Sequence, residues 1–257
     1  MTNSQDEKLS GQRVQASLLA GIEKKALLWF CPRLPAWVTP DQLTYLGLAA
    51  MALLGLSYYL ASFSDFFLVV ASIGHIINWF GDSMDGTLAR YRNQQRPRYG
   101  YYLDHLVDAF GVAFMIFGLA YSGLVSQPFV WLVLSLFFIA SINTYLATNS
   151  VQIFKISYMR VSTTEARVLL IIMNTILIWV KKITIFGFTG YLLDFVAGAI
   201  ALFLLIAIIR SAYQNLSKLD KEERAKWATK EPELPEQEEL DIPDEDKPDS
   251  AKEDQQP

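Results

Sequence analysis

Residues Leu43 to Phe63 read LTYLGLAAMALLGLSYYLASF, a run with no Asp, Glu, Lys or Arg. A helix rises about 1.5 Å per residue and a bilayer core is about 30 Å thick, so this run is long enough to cross. Working outward from it, five more apolar runs stand between polar breaks. They are Phe66 to Asn78 with a polar extension to Arg90, Tyr101 to Leu124, Phe129 to Thr148, Val168 to Lys181, and Phe188 to Ile209. With 52% hydrophobic residues and a mean hydropathy of +0.24, the chain is too apolar for an ordinary soluble domain. The expected fold is an all-α integral membrane protein of six transmembrane helices.

The flanking segments complete that plan. Val14 to Phe30 places Val14, Leu18, Leu19, Ile22, Leu27 and Leu28 near one helical face, with Glu23, Lys24 and Lys25 grouped together, as an amphipathic helix lying along the membrane surface does. After prolines 32, 35 and 40 and the interface-suited Trp37, the residues Thr39, Pro40 and Asp41 form a helix start signal. Trp29, Trp131 and Trp179 near span ends read as further interface anchors. The expected organisation is a cytoplasmic N-terminal segment over 1–40, a membrane domain over 41–215, and an acidic disordered tail over 216–257. From Asp220 onward there are 15 acidic and 6 basic residues, a net −9 that leaves +5 for the rest of a chain whose total is −4.

Lys and Arg concentrate before the first span, in the connection with Arg92, Arg96 and Arg98, and in that with Lys155 and Arg160. The connections at Ser64–Asp65 and Ser126–Gln127 have none, although Lys181 and Lys182 depart from the pattern. The positive-inside rule then puts both termini and the Arg-rich connection in the cytoplasm. No cleavable leader is expected at Met1. The single Cys31 excludes an intrachain disulfide framework, no Cys and His spacing suits zinc, and the dispersed basic residues give no footprint for nucleic acid.

The chemistry concentrates in DSMDGTLARYRNQQRPRYGYYLDHLVD, Asp82 to Asp108. Asp82 and Asp85, three apart, share a helical face, as do Asp104 and Asp108, four apart. Four neighbouring carboxylates beside apolar spans repel one another unless Arg residues, protonation or metal compensates them. Hard divalent cations take oxygen ligands, and Mg²⁺ in particular binds one or two carboxylates together with substrate phosphate. Four carboxylates on facing helices suffice for two such ions, which polarise a phosphoryl group and steady a leaving oxygen. Gly86 and Gly100 let a nucleotide or a neighbouring backbone approach, and Arg90 offers planar charge-assisted bonds to phosphate. His75 and Asn78 continue the Asp82 stripe and read as interhelical hydrogen-bonding residues. A divalent-cation transporter is the rival from another class, but it calls for acids spread through the bilayer depth rather than gathered at one level.

Asp82, Asp85, Gly86, Ala89, Arg90, Gly100, Asp104 and Asp108 together resemble the signature of the CDP-alcohol phosphotransferases, D-x2-D-G-x2-A-R, a loop, then G-x3-D-x3-D. The loop between Arg90 and Gly100 is one residue longer than is usual there. The resemblance implies six transmembrane helices, a homodimer, and transfer of a substituted phosphate from a CDP-linked donor to an alcohol or lipid acceptor with release of CMP. It implies Asp82, Asp85, Asp104 and Asp108 as ligands of two Mg²⁺ ions, with Mn²⁺ as a substitute. Asp82, Gly86, Ala89, Arg90 and Gly100 would lie at the cytidine nucleotide, and Asp108 would also be a candidate base for the acceptor hydroxyl. His105, directly after Asp104, and Glu165 in TTEAR are similar to positions of the choline and ethanolamine phosphotransferase branch, although Thr163 stands where that branch has Pro. This makes His105 and Glu165 alternative candidates for the base, and it favours a CDP-choline or CDP-ethanolamine type donor with a diacylglycerol type acceptor. The alternative within the family is transfer of phosphatidyl from CDP-diacylglycerol to glycerol phosphate, inositol phosphate or serine.

Overall fold

The computed structural model describes residues 20–151, 163–185 and 187–229. Two compact units divide the chain, Met1–Leu216 and Ser217–Pro257. The first contains a short surface helix α1 (Ala20–Phe30), a 3₁₀ turn (Cys31–Arg33), and helices α2 (Pro40–Leu60), α3 (Phe66–Tyr91), α4 (Pro97–Ala120), α5 (Gln127–Val151) and α6 (Thr163–Trp179). A hairpin of β1 (Lys182–Ile185) and β2 (Phe188–Tyr191) leads into α7 (Leu192–Thr229). Five helices, α2 to α5 and α7, are long and apolar enough to cross a membrane. The protein is an all-α integral membrane protein with one small hairpin added.

The expected fifth span, Val168 to Lys181, falls on α6, whose 17 residues extend only about 25 Å at helical rise. The last span begins at Leu192 and not at Phe188, because Phe188–Tyr191 pairs antiparallel with Lys182–Ile185. Gly187, at φ +85°, supplies the left-handed residue that a tight hairpin needs. Lys181, which departs from the positive-inside pattern, forms a 2.6 Å ion pair with Asp65, and Lys182 lies 4.9 Å from the Tyr191 ring centroid. Helical structure also runs to Thr229, past the tail boundary expected at 216. In the second unit, Arg224 Nε donates to both Asp220 carboxylate oxygens, at 2.8 and 2.9 Å. The rest of the expected tail, and Val14, Leu18 and Leu19 of the expected amphipathic face, lie outside the described residues.

The start of α2 follows its local sequence. Thr39 caps the helix by accepting from Gln42 N (3.3 Å) while the Gln42 side chain accepts from Thr39 N (2.9 Å), with Pro40 in the first turn. α2 is the most enclosed span, with 44% of its apolar window buried inside the protein against 11% for α7. Lipid is as apolar as leucine, so helices associate through close packing and polar bonds more than through hydrophobic burial. Both are present. A Cβ on Gly81 of α3 would stand 2.6 Å from Leu43 O of α2, and one on Gly118 of α4 would stand 1.8 Å from Gly55 O of α2. Backbones therefore touch where glycines face each other.

The polar bonds run through His75 and Asn78, as the sequence implied. Tyr58 of α2 donates to Asn174 Oδ1 of α6 (2.9 Å) and lies 3.3 Å from His75 Nε2 of α3; Asn174 donates to Ser72 Oγ (3.2 Å). Asn78 Nδ2 donates to Gly47 O at 3.1 Å. These bonds tie α2, α3 and α6: the Asn78 bond lies about one turn from Asp82 on α3, and those of His75 and Ser72 about two to three turns from it.

α1 buries Leu27 in a cluster with Cys31, Val38, Leu43, Met84 and Leu88, while Ile22, Leu28 and Trp29 remain exposed, as suits a helix half seated on the protein and half in the interface. Glu23 fixes it. One carboxylate oxygen of Glu23 accepts from Trp79 Nε1 (3.0 Å), Ser83 Oγ (2.8 Å) and Thr164 Oγ1 (2.9 Å), joining α1 to α3 and α6. Glu23→Ala removes three charge-assisted bonds and should lower stability by about 2–3 kcal/mol. A fall in the thermal unfolding midpoint of the detergent-solubilised protein checks this; an unchanged midpoint contradicts it.

Candidate active site

The last turns of α3 and the first turns of α4 bring the acids together. One oxygen each from Asp82, Asp104 and Asp108 lies within 4.8 Å of the others. Asp82 and Asp104 are half-buried and Asp108 is exposed, so the cluster opens outward at Asp108. Asp85 takes a different position: it accepts from Thr44 Oγ1 of α2 at 2.6 Å and from its neighbour Gly86 N. Three of the four expected metal ligands are therefore gathered, and the fourth is held beside them by the central helix.

The donor set fits a hard divalent ion, since three carboxylate oxygens converge from two helices with no thiolate or imidazole among them. A compensating cation comes from a third helix, outside the motif. Arg167 of α6 donates through Nη2 to Asp82 Oδ2 (2.7 Å) and through Nε to Asn78 Oδ1 (2.9 Å). An arginine inside an apolar helix is costly unless it has such a task, and that was the signal available in TTEARVLL. Two loop arginines are engaged elsewhere. Arg92 donates to Leu34 O (3.1 Å) and Pro35 O (3.0 Å), and Arg96 pairs with Asp41 while lying 4.1 Å from the Tyr99 ring centroid.

His105 sits at the cluster's edge. Its Nδ1 is 3.7 Å from Asp104 Oδ2, and its ring lies 4.1 Å from that of Tyr101 and 5.3 Å from that of Tyr145 on α5. Glu165 stands in the first turn of α6, two residues before Arg167.

The glycines of the motif differ from one another. A Cβ on Gly86 would lie 3.3 Å from Arg90 Nη1, so the missing side chain leaves room for the Arg90 guanidinium, whose Nη2 also donates to Thr87 Oγ1 at 3.2 Å. Gly100 is exposed and has nothing within 4 Å of such a Cβ, so its space is open for a ligand. Ala89 lies in the last turns of α3, where its carbonyl accepts from Gln94 N at 2.9 Å. Gly86→Ala should crowd the Arg90 guanidinium by a few tenths of an ångström and raise the KM for a CDP-linked donor about threefold, the effect of losing roughly 0.6 kcal/mol of phosphate binding. Steady-state kinetics checks this, and an unchanged KM overturns the role.

With this geometry in place, the comparison with known proteins decides the family. The model of the family described as CDP-alcohol phosphatidyltransferase matches residues 37–211. The chain belongs to that family. Among curated proteins, an archaetidylinositol phosphate synthase of Pyrococcus horikoshii is 32% identical over 97 residues, covering 38% of this chain and 48% of the relative. The chain thus spans about half the length of the curated relative it matches. The five long apolar helices and this match together make the chain a membrane protein of the CDP-alcohol phosphatidyltransferase family.

Proposed function

We propose that the protein uses divalent ions held by Asp82, Asp85, Asp104 and Asp108 to transfer a substituted phosphate from a CDP-linked donor to an alcohol, releasing CMP. The observation that carries this is the convergence of Asp82, Asp104 and Asp108 oxygens within 4.8 Å across two helices. Bound Mg²⁺ would neutralise the donor's diphosphate and polarise the phosphorus under attack. Around it, Arg90 and the open space at Gly100 bind and orient the nucleotide, and Thr44 keeps Asp85 in place. The acceptor oxygen attacks the phosphorus that carries the substituent, the bridging P–O bond breaks, and CMP leaves with that oxygen. The acceptor's proton passes to Asp108 or to His105 aided by Glu165. Asp108 belongs to the cluster, where an ion diminishes its basicity, whereas His105 lies beside it. The site faces the cytoplasm, by the charge of the connections, and the enzyme works as a homodimer.

The D-H pair and Glu165 favour a phosphocholine or phosphoethanolamine type donor with a diacylglycerol type acceptor. The likeness to an archaetidylinositol phosphate synthase favours the second reading, a CDP-linked lipid donor and a polar alcohol. Incubating purified protein with Mg²⁺ and each donor and acceptor pair, then weighing the lipid product by mass spectrometry, separates them. Product only from CDP-choline or CDP-ethanolamine with diacylglycerol is expected. Product only from CDP-diacylglycerol establishes the second reading, and no CMP from any pair overturns both.

A further inference from the structure

Arg167 is bonded to the acidic cluster from outside the motif, and its bonds leave part of it unused. Nε is tied to Asn78, which is itself tied to Gly47 O, and Nη2 is tied to Asp82. Nη1 is buried with no hydrogen-bond partner among the described residues. The side chain as a whole is 13% exposed. A guanidinium has five N–H donors in a fixed fork and accepts nothing. A buried donor left without an acceptor is unfavourable, and it is relieved when a ligand brings an oxygen.

The charges point the same way. A cation bonded to Asp82 competes with a divalent ion for that carboxylate and repels the ion besides. Arg167 therefore opposes metal binding when metal comes alone. A diphosphate reverses the balance, because its negative charge accommodates both the ions and the guanidinium, and its oxygens match the fork. We propose that Arg167 couples the two ligands of the site, holding Asp82 in their absence and donating to the donor's diphosphate when ions and nucleotide enter together. This rests on the metal-dependent transfer reading and adds to it an order of assembly: the nucleotide tightens metal binding and metal tightens nucleotide binding, by the same factor. An enzyme so built does not hold its ions firmly without the donor that they act upon.

The test is binding, with no turnover required. Mn²⁺ affinity of the purified full-length protein is measured by electron paramagnetic resonance of free Mn²⁺, with and without CDP. For the unmodified protein, CDP should tighten Mn²⁺ binding by about tenfold or more, within the usual range of coupling. Arg167→Gln should bind Mn²⁺ alone as tightly or more tightly, with the CDP effect reduced to about twofold or less. A residue that only glues α6 to α3 does not alter this ratio in a folded variant. If the Gln variant does not fold, Arg167→Lys, which keeps the charge and loses the fork, should show reduced coupling. Unchanged coupling in a folded variant overturns the proposal, as does weaker Mn²⁺ binding by Arg167→Gln without CDP, which makes Arg167 an orienting residue for Asp82. Intact CDP coupling with selective loss of glycerol 3-phosphate binding assigns the arginine to an acceptor's phosphate and also overturns it. Failure of the unmodified protein to bind Mn²⁺ at all removes the metal-dependent reading itself, and this inference with it.

Discussion

Asp104→Asn is expected to lower CMP release from a CDP-linked donor by about 10²–10³-fold, a loss of roughly 3–4 kcal/mol of transition-state stabilisation. Asp104 stands between the other parts of the site. One of its oxygens is within 4.8 Å of those of Asp82 and Asp108, and its Oδ2 is 3.7 Å from His105 Nδ1. Asparagine has nearly the same shape, so packing is kept while one negative charge and one strong oxygen ligand are lost. Rate at saturating Mg²⁺ is the informative measure, with membrane insertion and thermal stability as controls. Asp85→Asn, beside Thr44, should likewise abolish transfer without disturbing insertion. CMP release near the unmodified rate in either variant contradicts the two-ion reading.

Gly118→Ala should be the most damaging small change away from the site. The new Cβ would lie 1.8 Å from Gly55 O and 2.4 Å from Gly55 C, both backbone atoms of the enclosed helix α2, and no rotamer can relieve a clash with backbone. The helices must part, and overpacking of this kind costs about 1–3 kcal/mol and occasionally more. Gly21, where an added methyl carbon would meet nothing within 4 Å, provides the control. Thermal unfolding in detergent should place Gly118→Ala well below the unmodified protein and Gly21→Ala close to it. Equal midpoints for the two variants contradict the close helix contact.

Five of the six expected spans were legible in the sequence because a lipid-facing helix must be apolar over its whole length, and that requirement leaves a simple pattern. The cap at Thr39 and the interhelical roles of His75 and Asn78 were legible too, since each follows from a local rule. The pairing of Lys182–Ile185 with Phe188–Tyr191 was not, because Phe188 to Ile209 forms one apolar run and hydropathy does not tell a strand from the start of a helix. The acids were found by spacing along single helices, and spacing does not report what a third helix brings. Thr44 from α2 and Arg167 from α6 reach the acids across 41 and 85 residues of sequence. Glu23 was read as one of a group of surface charges, whereas three donors from two other helices meet it.

The most direct measurement is an anomalous diffraction map from crystals grown with Mn²⁺ and a CDP-linked donor. Two peaks about 4 Å apart among Asp82, Asp85, Asp104 and Asp108, with the diphosphate against them, are the predicted result. A bound donor with no manganese at these carboxylates, in a preparation that still releases CMP, would contradict it.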